Sequence, residues 1–211
     1  HACIRNITFR NIKMDYPIKG IYIKPNPGSH GDGIIENILY ENVVMDTPIW
    51  WGIWIGPQQQ YQPGGTLQGC SMIYPFSSFC QTQPRITMRD ITLRNITSTN
   101  SLLPAGVILC NSTNPCTNFT FENVNMRTPF WDALGIGYVN HFSEGVSINS
   151  FPDPKFKPAG YYNDPANRVL EAHEDPAQWF TGDYLMKSIV QIATGLPYDQ
   201  AMRPENLLAD A

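Results

Sequence analysis

The sequence predicts an all-β fold, a parallel β-helix: a solenoid of about four visible coils with a short helical and irregular C-terminal tail. Three observations predict it. A ten-residue phrase occurs four times: RNITFRNIKM at 5–14, ENILYENVVM at 36–45, RDITLRNITS at 89–98 and TNFTFENVNM at 117–126. Its seventh place is always Asn (Asn11, Asn42, Asn95, Asn123), and its second is Asn6, Asn37, Asp90 or Asn118. A short strand opened by Gly follows each phrase at nearly constant distance.

The third, fifth and eighth places of the phrase are apolar throughout: Ile7, Phe9, Ile12; Ile38, Tyr40, Val43; Ile91, Leu93, Ile96; Phe119, Phe121, Val124. Apolar residues two apart mark a strand with one buried face. The step from the fifth place to the eighth breaks the alternation, so the strand bends there. Asn suits a bend because its side chain bonds nearby backbone and tolerates the left-handed conformation.

Stacked as rungs, the phrases place like on like. The Asn residues form a column in which side-chain amides can bond one another. The sixth place reads Arg10, Glu41, Arg94, Glu122 and the first reads Arg5, Glu36, Arg89, Thr117. Charge alternates from rung to rung, as neighbours in register require. The following strands are Gly20–Lys24, Gly52–Gly56, Gly106–Cys110 and the looser Gly135–Val139. The phrase recurs after 31, 53 and 28 residues, so one rung carries a large insertion. Four rungs span roughly 15–20 Å.

Taken in order, residues 1–150 are the solenoid and 151–211 an appended tail. The loop at 25–34 is rich in Gly and Pro and reads as an exposed turn. The second rung holds Trp50, Trp51 and Trp54, of which one of the adjacent pair belongs in the core. Residues 58–85 are the insertion, an ordered flap with Tyr74, Phe76 and Phe79. His141 to Phe151 reads as a degenerate last coil. The tail opens Pro-rich; Asp164-Pro165 starts a helix running to about His173, and Asp183 caps a second through Ala193. These helices cover the open end or flank of the stack, shielding sheet edges. Glu171, His173, Glu174 and Asp175 read as a solvated helix end.

The 211 residues are 42% hydrophobic, with a net charge of −4 and a pI near 5.5. That balance argues against nucleic acid or an anionic membrane surface as partner, and no apolar run approaches the ~20 residues of a membrane span. The chain begins at His1-Ala2-Cys3, two residues before a rung, so a preceding part of the same protein or another subunit is expected to cover the N-terminal coil. Five Cys suit an oxidising compartment, and hence an extracellular or cell-surface setting. Cys70 with Cys80, and Cys110 with Cys116, are candidate local disulfides; five reduced thiols are the alternative. Cys3 is left over, with its partner expected upstream. No metal-ligand spacing occurs and no cofactor is expected. Of the sequons at Asn6, Asn95, Asn111 and Asn118, three are ladder positions, which leaves Asn111 as the glycosylation candidate.

The stretch GIYIKPNPGSHGDGIIENILYENVVM at 20–45, with Pro48, Ile49 and Ile53, resembles the C-terminal half of glycoside hydrolase family 28, the polygalacturonase family. The segment from Cys110 to Val124 is similar to the same family, and the resemblance covers roughly residues 1–150. It implies a right-handed, pectin-lyase-type β-helix and hydrolysis of galacturonan with inversion, by Asp carboxylates spaced to hold water between them. In the family those Asp residues and a Gly-His-Gly histidine precede an Arg-Ile-Lys strand. This chain has neither the Asn-Thr-Asp nor the Asp-Asp motif, and His1 does not match Gly-His-Gly, so no catalytic residue is assigned here. Of the family's site only Lys24 carries over, as a ligand for a uronate carboxylate. Tyr22 stands where the family has Arg, and the bidentate fork is lost with it.

If Ile21, Ile23, Ile53 and Ile55 face inward, alternation sends Tyr22, Lys24 and Trp54 outward as neighbours on adjacent rungs. An exposed aromatic column beside a cation suits an anionic sugar, so Tyr22, Lys24 and Trp54 are the candidate substrate-binding residues. Coverage by the flap at 58–85 or by the tail is the alternative. His30 and Asp32 in their Gly turn read as turn residues before catalytic ones. The expected partner is a polysaccharide, uronate-containing on the family resemblance. Two functions compete: part of a polygalacturonase-like glycoside hydrolase whose acids lie elsewhere, or a non-catalytic β-helix serving as a structural or polysaccharide-binding subunit of an extracellular assembly. An adhesin-like interaction module is a third, weaker reading.

Overall fold

The computed structural model describes residues 2–26, 31–59, 70, 74 and 80–172. Five strands, β1 (Ala2–Asp15), β3 (Gly33–Asp46), β5 (Ile86–Thr99), β7 (Cys116–Met126) and β9 (Ser143–Ile148), form one parallel sheet in the order β1-β3-β5-β7-β9. Four short strands, β2 (Ile21–Ile23), β4 (Ile53–Ile55), β6 (Gly106–Leu109) and β8 (Tyr138–His141), form a second parallel sheet in the order β2-β4-β6-β8. Rungs stack in chain order, as a parallel β-helix requires, and β9 is the degenerate last coil.

Each long strand bends at two of the repeated positions. The eight residues at the second and seventh places all sit in the left-handed region, with φ between 52° and 58°. Asn and Asp reach that conformation at little cost, which is why they recur. Backbone pairing skips these corners and side chains replace it. Asn42 Nδ2 donates to Asn11 Oδ1 at 3.0 Å, Asn95 to Asn42 at 3.1 Å and Asn123 to Asn95 at 3.1 Å. The charge columns also close: Arg10 pairs with Glu41 at 2.8 Å, Arg94 with Glu41 at 3.4 Å and with Glu122 at 2.7 Å, and Arg89 with Glu36 at 2.6 Å. A third corner, at Tyr16, Thr47 and Asn100, is also left-handed, and its mixed residue types hide it in the sequence.

Between the sheets lies an apolar lumen built from Ile21, Ile38, Val43, Ile53, Leu93, Ile96, Phe121 and their neighbours. The Gly that opens each of the first three short strands serves close approach: a Cβ on Gly20 would lie 2.1 Å from the Met45 sulfur and 2.6 Å from the Gly52 carbonyl oxygen. The fourth short strand departs from expectation. It starts at Tyr138, opposite Gly106, because a short helix α1 (Pro129–Ala133) takes up the preceding residues. Thr128 Oγ1 donates to Asp132 Oδ1 at 2.6 Å to start it, and Gly135 at φ 70° ends it.

The tail folds over the last coil. Lys157 pairs with β9, its carbonyl accepting the Gly145 N–H and its own N–H donating to the Ser143 carbonyl; Phe156 packs edge-on to Phe121, and Tyr162 is buried in the lumen cluster. Helix α2 (Pro165–Ala172) follows, with Asp164 before it. Glu171 corrects an expectation. It is buried rather than solvated, because its carboxylate accepts the Phe142 N–H and the Tyr162 hydroxyl, each at 2.5 Å. Glu144, also buried, accepts the Gly160 and Tyr162 N–H groups. His173, Glu174, Asp175 and the helix expected from Asp183 lie outside the described residues, as do His30, Phe76 and Phe79.

Both local disulfides are present, Cys70–Cys80 and Cys110–Cys116, and Cys3 is an exposed free thiol. Among the described residues no helix is long and apolar enough to cross a membrane.

Candidate functional site

The alternation expected in the short strands holds. Ile21, Ile23, Ile53 and Ile55 fill the lumen, and Tyr22, Trp54, Val107 and Val139 face the other way, in register from rung to rung. The outward face is not an open aromatic column. Trp51, Trp54, Cys70, Tyr74, Leu109, Trp131 and Ile136 form a second apolar cluster over it. Trp54 is 0% exposed; its indole N–H donates to the Pro57 carbonyl at 3.0 Å, and Tyr74 of the insertion meets it edge-on at 6.1 Å. Trp54 therefore anchors the insertion and cannot itself touch a sugar. Of the adjacent tryptophans, Trp51 is the core residue and Trp50 is half-buried.

Tyr22 and Lys24 remain at the surface of the same face. Tyr22 is half-buried, and its phenol oxygen accepts the Gln59 N–H at 3.2 Å. Burial pushes the phenol above its ordinary pKa, while the Gln59 bond acts the other way. Lys24 is exposed, with its ammonium 5.5 Å from the Tyr22 ring centre. Lys19 stands closer, 4.0 Å from that centre and 5.7 Å from the Trp54 ring. Burial first, and the charge of Lys24 second, pull the Lys19 ammonium down to about 8. Lys19 was not legible from the sequence because it lies in the turn before β2, where period-2 alternation assigns no direction.

A cavity of about 490 Å³ opens at the first coil and is lined by Ile7, Phe9, Ile35, Ile38 and Tyr40, with Tyr22 and Lys24 at its rim. It is the lumen between the sheets, and its apolar lining suits side chains rather than sugars. Ile7 and Phe9 are 36% and 38% exposed there, although the residues aligned with them in later rungs are more buried.

Asn111 is half-buried, with its amide nitrogen donating to Thr82 Oγ1 at 2.7 Å and its oxygen accepting from Thr113 at 2.7 Å and 2.9 Å. Among the described residues no cluster of His, Cys, Asp or Glu has the arrangement to hold a metal ion.

Residues 1–134 match the model of the glycosyl hydrolases family 28. The chain is 27% identical to the exopolygalacturonase clone GBGA483 of Arabidopsis thaliana over 123 residues, covering 58% of this chain and 24% of that protein. It is 26% identical to a probable rhamnogalacturonase C of Aspergillus flavus, over 71% of this chain and 29% of the relative. An exopolygalacturonase of Zea mays is 26% identical over 59% of this chain and 27% of its own length. The chain thus spans between 24% and 29% of the length of these curated relatives. No solved structure matches it significantly. The family match covers most of the coil stack, and on that ground this chain belongs to glycosyl hydrolase family 28.

Proposed function

We propose that this chain forms the substrate-positioning part of an extracellular polygalacturonase-like hydrolase, with the hydrolytic carboxylates contributed from outside these 211 residues. The observation that carries the reading is Lys24, an exposed ammonium just after β2 and beside Tyr22, at the place that the Arg-Ile-Lys resemblance gives to a lysine. An ammonium there meets a galacturonate carboxylate as a point charge. The relatives' names, exopolygalacturonase and rhamnogalacturonase, support a pectic polymer as the substrate class. The two disulfides support an oxidising, extracellular setting.

One observation favours a second reading, a non-catalytic polysaccharide-binding or structural subunit: Tyr22 replaces the Arg fork, and its hydroxyl is tied to Gln59. The two readings separate in one assay. Full-length protein incubated with polygalacturonate should release reducing ends if it is a hydrolase. Binding without release would leave the structural reading, and absence of both would end both.

A further inference from the structure

We infer that Lys19 is a second carboxylate-binding cation of this face and sets its preference for anionic over neutral sugar units. The inference rests on the reading of this face as a pectic-polymer site and adds a residue that the Arg-Ile-Lys resemblance does not supply.

Two ammonium groups converge on one ring. Lys19 Nζ lies 4.0 Å and Lys24 Nζ 5.5 Å from the centre of Tyr22. The ring is held in place from behind: its oxygen accepts the Gln59 N–H, and Gln59 pairs with Cys70, which is bonded to Cys80. Cation–π attraction draws each lysine to the ring face. Among the described residues no carboxylate forms an ion pair with either lysine, whereas Arg10, Arg89 and Arg94 each have one.

A half-buried cation beside a like charge bears a cost, and the lowered Lys19 ammonium reflects it. A bound carboxylate offsets both parts of that cost, since it supplies the opposite charge and replaces lost water. Tyr22 thus substitutes for the family's Arg indirectly: in place of a guanidinium fork, its ring positions two separate cations. The titratable groups facing Lys19 are Lys24 and the Tyr22 phenol; the adjoining rung presents Trp54, which does not titrate.

Isothermal titration of the full chain with trigalacturonate, its methyl ester and a neutral galactose trimer tests this. Wild type should bind the acid form best. Lys19→Met should weaken that binding about tenfold, the scale of one lost charge-assisted bond. Because Lys19 loses its proton as pH rises through about 8, wild-type affinity should fall across that range. Lys19→Met should show a flat profile there. Lys19→Arg should keep the affinity and also flatten the profile, since a guanidinium stays charged; it serves as the folding control. If Lys24→Met weakens binding while Lys19→Met matches wild type in affinity and pH profile, the inference is overturned and the face remains a galacturonate site. If wild type binds none of the three sugars, the site reading and the inference fall together.

Discussion

The two sheets of the coil stack are held by different means. The outer face of the five-stranded sheet carries polar columns, in which Asn corners and alternating Arg and Glu lie in solvent. The four-stranded sheet is apolar on both faces, with the lumen on one side and the tryptophan cluster on the other. Strand length explains the difference. A 14-residue strand such as β3 has enough backbone pairing and lumen contact to leave its outer face wet, and the columns then fix register. Strands of three or four residues, such as β4 and β6, have too little pairing to stand alone, and a second core holds them from outside. Exposed ion pairs contribute little free energy, so the columns specify where the burial stabilises.

The largest expected effect follows from breaking the second core. Trp54→Ala removes a fully buried indole that bridges β4 and the insertion, and should destabilise the chain by about 3–5 kcal/mol. Guanidinium unfolding followed by far-UV circular dichroism measures it. A loss below about 1 kcal/mol, the level of a surface substitution, would mean that the outer cluster does not support the small sheet.

A smaller effect is expected from the large sheet. Asn42→Ala deletes the bonds to both Asn11 and Asn95 and forces Ala into a left-handed corner at φ 55°. The expected loss is about 1–2 kcal/mol, part lost bonding and part backbone strain. Asn42→Gly separates the parts, because Gly relieves the strain and leaves only the bonds missing. Should Gly and Ala be equally destabilised, the ladder matters and the corner strain does not.

The same contrast explains what the sequence made legible. Columns on a wet face must repeat residue type, so Asn11, Asn42, Asn95 and Asn123 disclosed the coil, its register and its corners directly. A covered face repeats only apolarity. Tyr22, Trp54, Val107 and Val139 share a column, yet nothing in their types says whether solvent or Tyr74 lies over them. Period 2 assigned Trp54 its direction correctly and left its burial open, because burial depends on an insertion with no repeat of its own. Lys19 and Glu171 were missed for related reasons. Lys19 sits in a turn, and Glu171 reaches the lumen end from a helix whose docking no local pattern encodes.

The smallest expected effect is a gain, and it sharpens what the columns do. All the ladder bonds run one way: Nδ2 of each rung donates to Oδ1 of the rung before it, as from Asn37 to Asn6 and from Asn118 to Asp90. Asp90 interrupts the second-place column, because a carboxylate accepts from Asn118 but has no proton to donate to Asn37. Asp90→Asn supplies that donor and makes the column continuous, like its seventh-place counterpart. The carboxylate lost by this change lies 3.7 Å from Arg89, whose main pairing is with Glu36 at 2.6 Å, so little is forfeited. The expected outcome is a stabilisation of about 0.5–1 kcal/mol, one net hydrogen bond, read as a melting temperature higher by about 1–4 °C. A lower melting temperature would instead mean that the Asp90 carboxylate, facing Arg89, outweighs a ladder bond. The columns would then act through charge and not through amide bonding, and Asn at the corners would be explained by its backbone preference alone.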